Sequence, residues 1–156
     1  LEHRVGGLAK APLTGNVSYK PEHHAQMVAD RQAKVDKLAE IIPPQEVFGD
    51  ESGELLICGW GSTYGAIHAA VARARAEGLS VSATHLRYIA PLPSNMGEVL
   101  SRYKRVIIPE MNGGQLSMYL RGKFGKPFES LTQVTGRPFK IDTIHQAIRK
   151  ALGKES

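Results

Sequence analysis

From residue 54 the chain alternates short apolar runs with longer amphipathic stretches. Leu55, Leu56, Ile57 and Cys58 form an uncharged run, the pattern of a strand covered on both faces. A glycine turn follows. Residues 62–77 then carry Ile67, Ala70, Val71 and Ala74 on one helical face, with Gly78 placed as the C-terminal cap. Val81, Ala83 and His85 alternate with Ser80, Ser82 and Thr84, which predicts a second strand ending near Leu86. Two prolines mark 89–95 as a loop. Asn95 and Glu98 have capping-box spacing for a short helix to about Tyr103. A third strand is predicted at 105–109, a glycine turn at 110–114, and a helix at 115–124 with Leu116, Tyr119 and Leu120. A fourth strand is predicted at 130–134. After a turn at 136–138, Asp142 is placed to cap a last helix whose Ile144, Ala147, Ile148, Ala151 and Leu152 face inward.

This order predicts an α/β sandwich with a mainly parallel sheet. Ligands of such sheets bind outside the carboxyl ends of the strands, where three loops gather here: 59–63, 87–95 and 110–115. They supply the candidate ligand-facing residues Gly59, Gly61, Ser62, Thr63, Arg87, Glu110 and Asn112.

Before residue 54 the pattern differs. Residues 1–20 lack periodicity and read as an extended arm. Pro21 opens a polar helix over 22–42 whose Val28, Val35, Leu38 and Ile42 make a narrow stripe, suited to lying on a neighbouring domain or a second molecule. Pro43-Pro44 ends it and 45–53 form a linker. The predicted division is therefore 1–53, arm, helix and linker, and 54–156, an α/β domain.

Hydrophobic content of 42% and charged content of 22% are those of a globular chain. No apolar run reaches the ~20 residues of a membrane helix, and no signal peptide opens the sequence. With one cysteine, Cys58, no internal disulfide forms; the expectation is a cytoplasmic protein. The net charge of +5 is spread along the chain without the basic stripe and interleaved aromatics of a nucleic-acid reader. It fits a solvated surface or a face for an acidic partner. Leu1 in place of Met points to a piece of a longer polypeptide or a processed product.

The glycine turn has two readings. As a dinucleotide fingerprint it would need a third glycine at residue 64, where Tyr64 stands, and an acid at the end of the second strand, where His85 and Arg87 stand. An arginine there suits a 2′-phosphate. As a structural turn it needs only the freedom of Gly59 and Gly61. Ser62 or Thr63 can cap the helix that follows. No GK[ST] makes a Walker loop, and Gly61-Ser62-Thr63-Tyr64 lacks the G-x-S-x-G of a nucleophile elbow. The six histidines lack zinc-site spacing, so no metal site is expected. Cys58 points into packed surroundings, where a reactive thiolate is not expected. Glu110 could hold a ligand hydroxyl or cap the next helix.

Three phrases then resemble a known family: GWGSTYGAI, LRY-x-x-PLP and PE-x-N-x-GQL. With PEHHAQMVADRQAKVDKLA ahead of them, they are similar to the C-terminal part of the α subunit of 2-oxoacid:ferredoxin oxidoreductases, most closely the 2-oxoglutarate type. The stretch between Gly122 and Leu131 departs from the family's more apolar run. The resemblance implies a three-layer sandwich like the transketolase C-terminal domain, with a five-stranded, mostly parallel sheet. The fifth strand would lie at 46–48 or after Gly136. It implies a parent enzyme that oxidatively decarboxylates a 2-oxoacid with coenzyme A to an acyl-CoA, carbon dioxide and reduced ferredoxin. Thiamine diphosphate with Mg2+ and an iron–sulfur cluster would be held mainly by the β subunit and other α-subunit domains. No cofactor and no catalytic residue is expected in this stretch. The implied partners are the β subunit and the remaining α-subunit domains, with ferredoxin and CoA for the whole enzyme, and neither nucleic acid nor a membrane. Two other readings remain: a free-standing phosphate- or nucleotide-binding module using the Gly59–Gly61 turn, and a plain interaction domain.

Overall fold

The computed structural model describes residues 7–154. Contacts group them into two units, one up to Ile42 together with Ala90–Leu92, the other Pro43–Ile89 with the residues from Pro93 onward.

In the first unit Lys10 and Val17 form an antiparallel bridge that closes a turn. Helix α1, Pro21–Lys37, starts with proline in its first turn, where the missing N–H is not needed. It is sustained by hydrogen bonds one turn apart, Gln26 to Asp30 and Gln32 to Asp36. The predicted helix runs to 42; the α-helix stops at Lys37 and one 3-10 turn, Leu38–Glu40, follows before the two prolines. No residue of α1 is buried, and the narrow stripe of Val28, Val35 and Leu38 is exposed in the chain taken alone.

The second unit is built on a parallel sheet of β1 (Gly53–Trp60), β2 (Val81–Leu86), β3 (Tyr103–Glu110) and β4 (Glu129–Thr132), in the order β2-β1-β3-β4. Leu55 to Cys58 are fully buried, as an uncharged run in a central strand must be. Leu55 and Ile57 join the core cluster with Ile67, Ala70, Val71 and Ala74 of α2 (Tyr64–Ala76) and Ile144 and Ile148 of α5 (Ile141–Ala151). Leu56, Cys58 and Ile108 alternate to the opposite face, where α3 (Met96–Ser101) and α4 (Gln115–Phe124) pack on β3. Helices therefore cover both faces.

The resemblance implied five strands; the described residues form four. At the free edge of β2 only Phe48 pairs, in one antiparallel bridge with Ala83. The rest of that edge is held by side chains. Ser82 donates to the Asp50 carbonyl, Thr84 to the Glu46 carbonyl, and the Gln45 amide to Thr84. These contacts bury Ser82 and Thr84 beside their apolar neighbours.

Three capping assignments change. Asn95 does not cap α3. Its side-chain amide clasps Gln45, accepting from the backbone N–H at 2.8 Å and donating to the carbonyl at 3.1 Å. Asp142 does not cap α5 and instead pairs with Arg73 at 2.9 Å. Thr63 does not cap α2, as described below. Gly78 does end α2 as expected, at φ +80°, with the Leu79 N–H reaching back to Ala74. His145, absent from the expected inward set of α5, is buried, with Nε2 3.0 Å from Glu77 Oε1.

Candidate functional site

Strand order places the topological switch between β1 and β3: the chain leaves β1 toward β2 and leaves β3 toward β4. A ligand of this fold would be sought outside the carboxyl ends of those two strands. Two of the three candidate loops meet that position.

After β1 the chain makes a 3-10 turn, Gly61–Thr63, before α2 begins. Gly61 has φ +59°, which favours glycine. Gly59 answers a different demand. A Cβ there would stand 2.3 Å from Ile67 Cδ1, 3.0 Å from Thr63 Oγ1 and 3.1 Å from His85 Nδ1. The Thr63 hydroxyl turns backward, accepting from the Trp60 N–H at 3.2 Å and donating to the Trp60 carbonyl at 2.8 Å. It closes the turn, and its one proton is spent on the Trp60 carbonyl. Ser62 is exposed.

After β3 stands Glu110, fully buried. Its two carboxylate oxygens accept from the amides of Leu116 at 2.7 Å and Ser117 at 3.0 Å. A helix N-terminus is a place for an anion, and at α4 the anion is the chain's own. Asn112 completes the arrangement: its side-chain oxygen accepts from the amides of Gly114 at 2.8 Å and Gln115 at 2.9 Å. Glu110 and Asn112 together satisfy the opening amides of α4, and Gly114, at φ +94°, lets the chain turn into it.

The third loop opens elsewhere. At the carboxyl end of β2, toward the edge of the sheet, lies a cleft of about 870 Å³. Pro43–Phe48 form one wall, and Tyr64, Ile67, His68 and the strand end from Ala83 to Tyr88 form the others. Phe48 and His68 lie tilted against each other at 33° with ring centres 4.0 Å apart, Tyr64 lies 5.6 Å from His68, and Tyr64 meets His85 edge-on at 5.1 Å. Burial pushes the His85 imidazole below its ordinary pKa. The Gly61 backbone pulls it up and the Arg87 charge pushes it further down. Its Nδ1, directed at Gly59, is buried without a partner. Arg87 is exposed at the rim.

The candidate residues therefore do not converge. Gly59, Gly61 and Thr63 shape one turn, Glu110 and Asn112 cap one helix, and Arg87 belongs to the edge cleft. Phe48, Tyr64 and His68 are not among the candidates. Their signal in the sequence is faint, since only the alternative placement of an edge strand at 46–48 brings Phe48 into view.

Cofactor chemistry finds little to hold. Among the described residues no three His, Cys, Asp or Glu side chains cluster as a metal site, and no helix is long and apolar enough to cross a membrane. Cys58, the one cysteine, is buried, and burial with the nearby Glu110 charge pushes its thiol up to about 12. It cannot ligate an iron–sulfur cluster alone. Each Glu110 oxygen accepts one α4 amide, which ties its side chain to that helix.

The family model for pyruvate:ferredoxin oxidoreductase core domain II matches residues 53–146. The chain belongs to that family. This core domain II is 49% identical over 154 residues to the 2-oxoglutarate oxidoreductase subunit KorA of Mycobacterium tuberculosis, covering 97% of this chain and 23% of that one. It is 31% identical over 148 residues to the α subunit of 2-oxoacid:ferredoxin oxidoreductase 1 of Aeropyrum pernix, covering 92% and 22%. Among solved structures it superposes with a TM-score of 0.87 on the 2-oxoglutarate:ferredoxin oxidoreductase of Magnetococcus marinus, which was solved with 2-oxoglutarate, coenzyme A and succinyl-CoA bound. Identity is 30%, over 97% of this chain and 27% of that one. The chain thus spans about a quarter of the length of the relatives it matches.

Proposed function

We propose that this chain is the C-terminal domain of the α subunit of a 2-oxoglutarate-type 2-oxoacid:ferredoxin oxidoreductase. The observation that carries the reading is the TM-score of 0.87 over 97% of the chain with such an enzyme. The parent enzyme would convert 2-oxoglutarate and CoA to succinyl-CoA and carbon dioxide, with reduction of ferredoxin, in the cytoplasm. Thiamine diphosphate, Mg2+ and the iron–sulfur cluster would be bound by other domains and the β subunit, and they supply the carbanion and electron-transfer chemistry. The domain's own work is assembly, with residues 54–156 as the folded body and 1–53 as the arm that leads into it. On this reading the catalytic residues lie in other domains; that Glu110, Asn112 and Thr63 hydrogen-bond within the fold supports it. In the assembled enzyme we place the fifth strand at 46–48, extending the Phe48–Ala83 bridge.

The free-standing nucleotide module is the weaker reading. Its glycine turn is closed by Thr63, and the other helix end at the switch point is filled by Glu110.

The test is to co-express the intact polypeptide with a β subunit. A brown complex should form, and deletion of residues 54–156 should prevent it. A colourless polypeptide that never pairs, or a deletion that still assembles, would contradict the assembly role.

A further inference from the structure

The two edges of the sheet are finished differently. Along β2 the Phe48 bridge and the hydroxyls of Ser82 and Thr84 hold the segment 46–50 against the strand. Along β4, among the described residues, no segment lies against the outer side. The Gln133 N–H donates to the Glu110 carbonyl, in the ladder with β3. Alternation along the strand then turns the backbone groups of Glu129 and Leu131 toward β3 as well, and the N–H and C=O of Ser130 and Thr132 outward. Both of those residues are exposed, and among the described residues no other hydrogen bond reaches either of them.

The sequence does not guard this edge. Exposed edges are commonly blunted by lysine, by proline or by a bulge. Residues 130–135, Ser-Leu-Thr-Gln-Val-Thr, hold no charge, no proline and no glycine, and Thr132, Val134 and Thr135 are β-branched. Glu129, the charged residue of β4, is taken up by Arg105 through bonds of 2.7 and 2.9 Å. Val134, just past the end of the strand, is 73% exposed.

We propose that the β4 edge pairs, antiparallel, with the same edge of a second copy of this chain, about a two-fold axis through Leu131. The occupant follows from register. With Leu131 opposite Leu131, Ser130 of each copy faces Thr132 of the other. Residues whose backbone groups point at each other across an antiparallel pair exchange both of their hydrogen bonds. Every outward N–H and C=O of β4 is then satisfied in both copies. Any other two-fold register sets Ser130 or Thr132 opposite a residue outside the strand. The same register brings Glu129 against the neutral Gln133 rather than a second Glu129, and Val134 opposite Phe128. Because both copies use one patch, the contact closes at a pair and does not propagate. The patch is short, so the contact is a weak one. The inference rests on the bare edge and not on the enzyme assignment.

The experiment uses the intact polypeptide in complex with its partner subunit, prepared from equal parts of unlabelled and heavy-isotope-labelled polypeptide. Hydrogen exchange is followed at single amides, and benzoylphenylalanine is introduced in place of Thr132 for photocrosslinking. The Ser130 and Thr132 amides should exchange about tenfold more slowly than in an unstructured chain. Crosslinks from position 132 should join light to heavy polypeptide and fall on residues 129–131. Ser130→Pro removes one outward N–H and leaves the ladder with β3 whole. It should return the Thr132 amide toward the unprotected rate while the Gln133 amide, bonded to Glu110, keeps its protection. Ser130 and Thr132 amides that exchange at the unprotected rate in the wild-type complex overturn the proposal. So do crosslinks confined to one copy or falling on the other subunit, or Thr132 protection unchanged by Ser130→Pro. The wild-type exchange rates and the crosslink decide the matter even where the proline variant does not fold.

Discussion

Replacing Glu110 with glutamine keeps the size of the side chain and removes its charge. In the native chain both carboxylate oxygens accept buried amides, from Leu116 and Ser117. Glutamine can satisfy one of them; its NH2 group then faces the other donor. An orphaned buried donor costs roughly 1–3 kcal/mol. Losing the negative charge at the α4 N-terminus costs about 0.3–1 kcal/mol more, and up to ~2 in buried geometry. Relief from holding a carboxylate at zero exposure offsets part of that sum. A net loss of about 2 kcal/mol follows. With a urea dependence of about 1–3 kcal/mol per molar, the unfolding midpoint should fall by about 1 M. Urea titration followed by circular dichroism reads it directly. A midpoint within about 0.2 M of wild type would refute the reasoning. Glu110 would then be spare for a ligand, as a carboxylate waiting for a hydroxyl would be.

Three further outcomes follow from the same geometry. Gly59→Ala should destabilise by roughly 1–3 kcal/mol in thermal unfolding, because its Cβ meets a buried Ile67 with no room to retreat; unchanged stability would mean the turn is looser than described. His85 has its pKa lowered from 6.5 chiefly by burial, so the unfolded chain takes up its proton first as pH falls. The stability held by the neutral ring is fully present above 6.5 and is lost as pH drops through the lower, folded value. His85→Gln should flatten that part of the stability–pH curve, and an unaltered slope would assign it to another group. Cys58, with its thiol pushed up to about 12, should resist thiol reagents until the chain unfolds; rapid labelling of folded protein would place it nearer the surface.

Much of the fold was legible because it depends on local periodicity. The uncharged run at Leu55 predicts a strand covered twice. The α2 face of Ile67, Ala70, Val71 and Ala74 matches the buried set, and α4 has the bounds its pattern predicts. Errors arose where a short polar side chain had a distant partner. Asn95 has capping-box spacing, yet its amide is taken by Gln45, fifty residues away. Asp142 is drawn to Arg73, 69 residues away. Spacing rules see neighbours along the chain and miss competitors across it. The same limit hid the cleft: Phe48 lies in a linker with no periodic signal, and only pairing with Ala83 brings it over His68. Glu110 was legible as one of two alternatives, and the geometry of its two amide bonds decides for the cap.

The central claim is that this domain belongs to an enzyme acting on 2-oxoglutarate. The most direct measurement is the rate at which the intact complex reduces ferredoxin or a viologen dye, with 2-oxoglutarate or pyruvate as substrate, with and without CoA. The account predicts rapid, CoA-dependent reduction with 2-oxoglutarate, accompanied by succinyl-CoA. No reduction with 2-oxoglutarate by a fully assembled, cluster-loaded complex would contradict it.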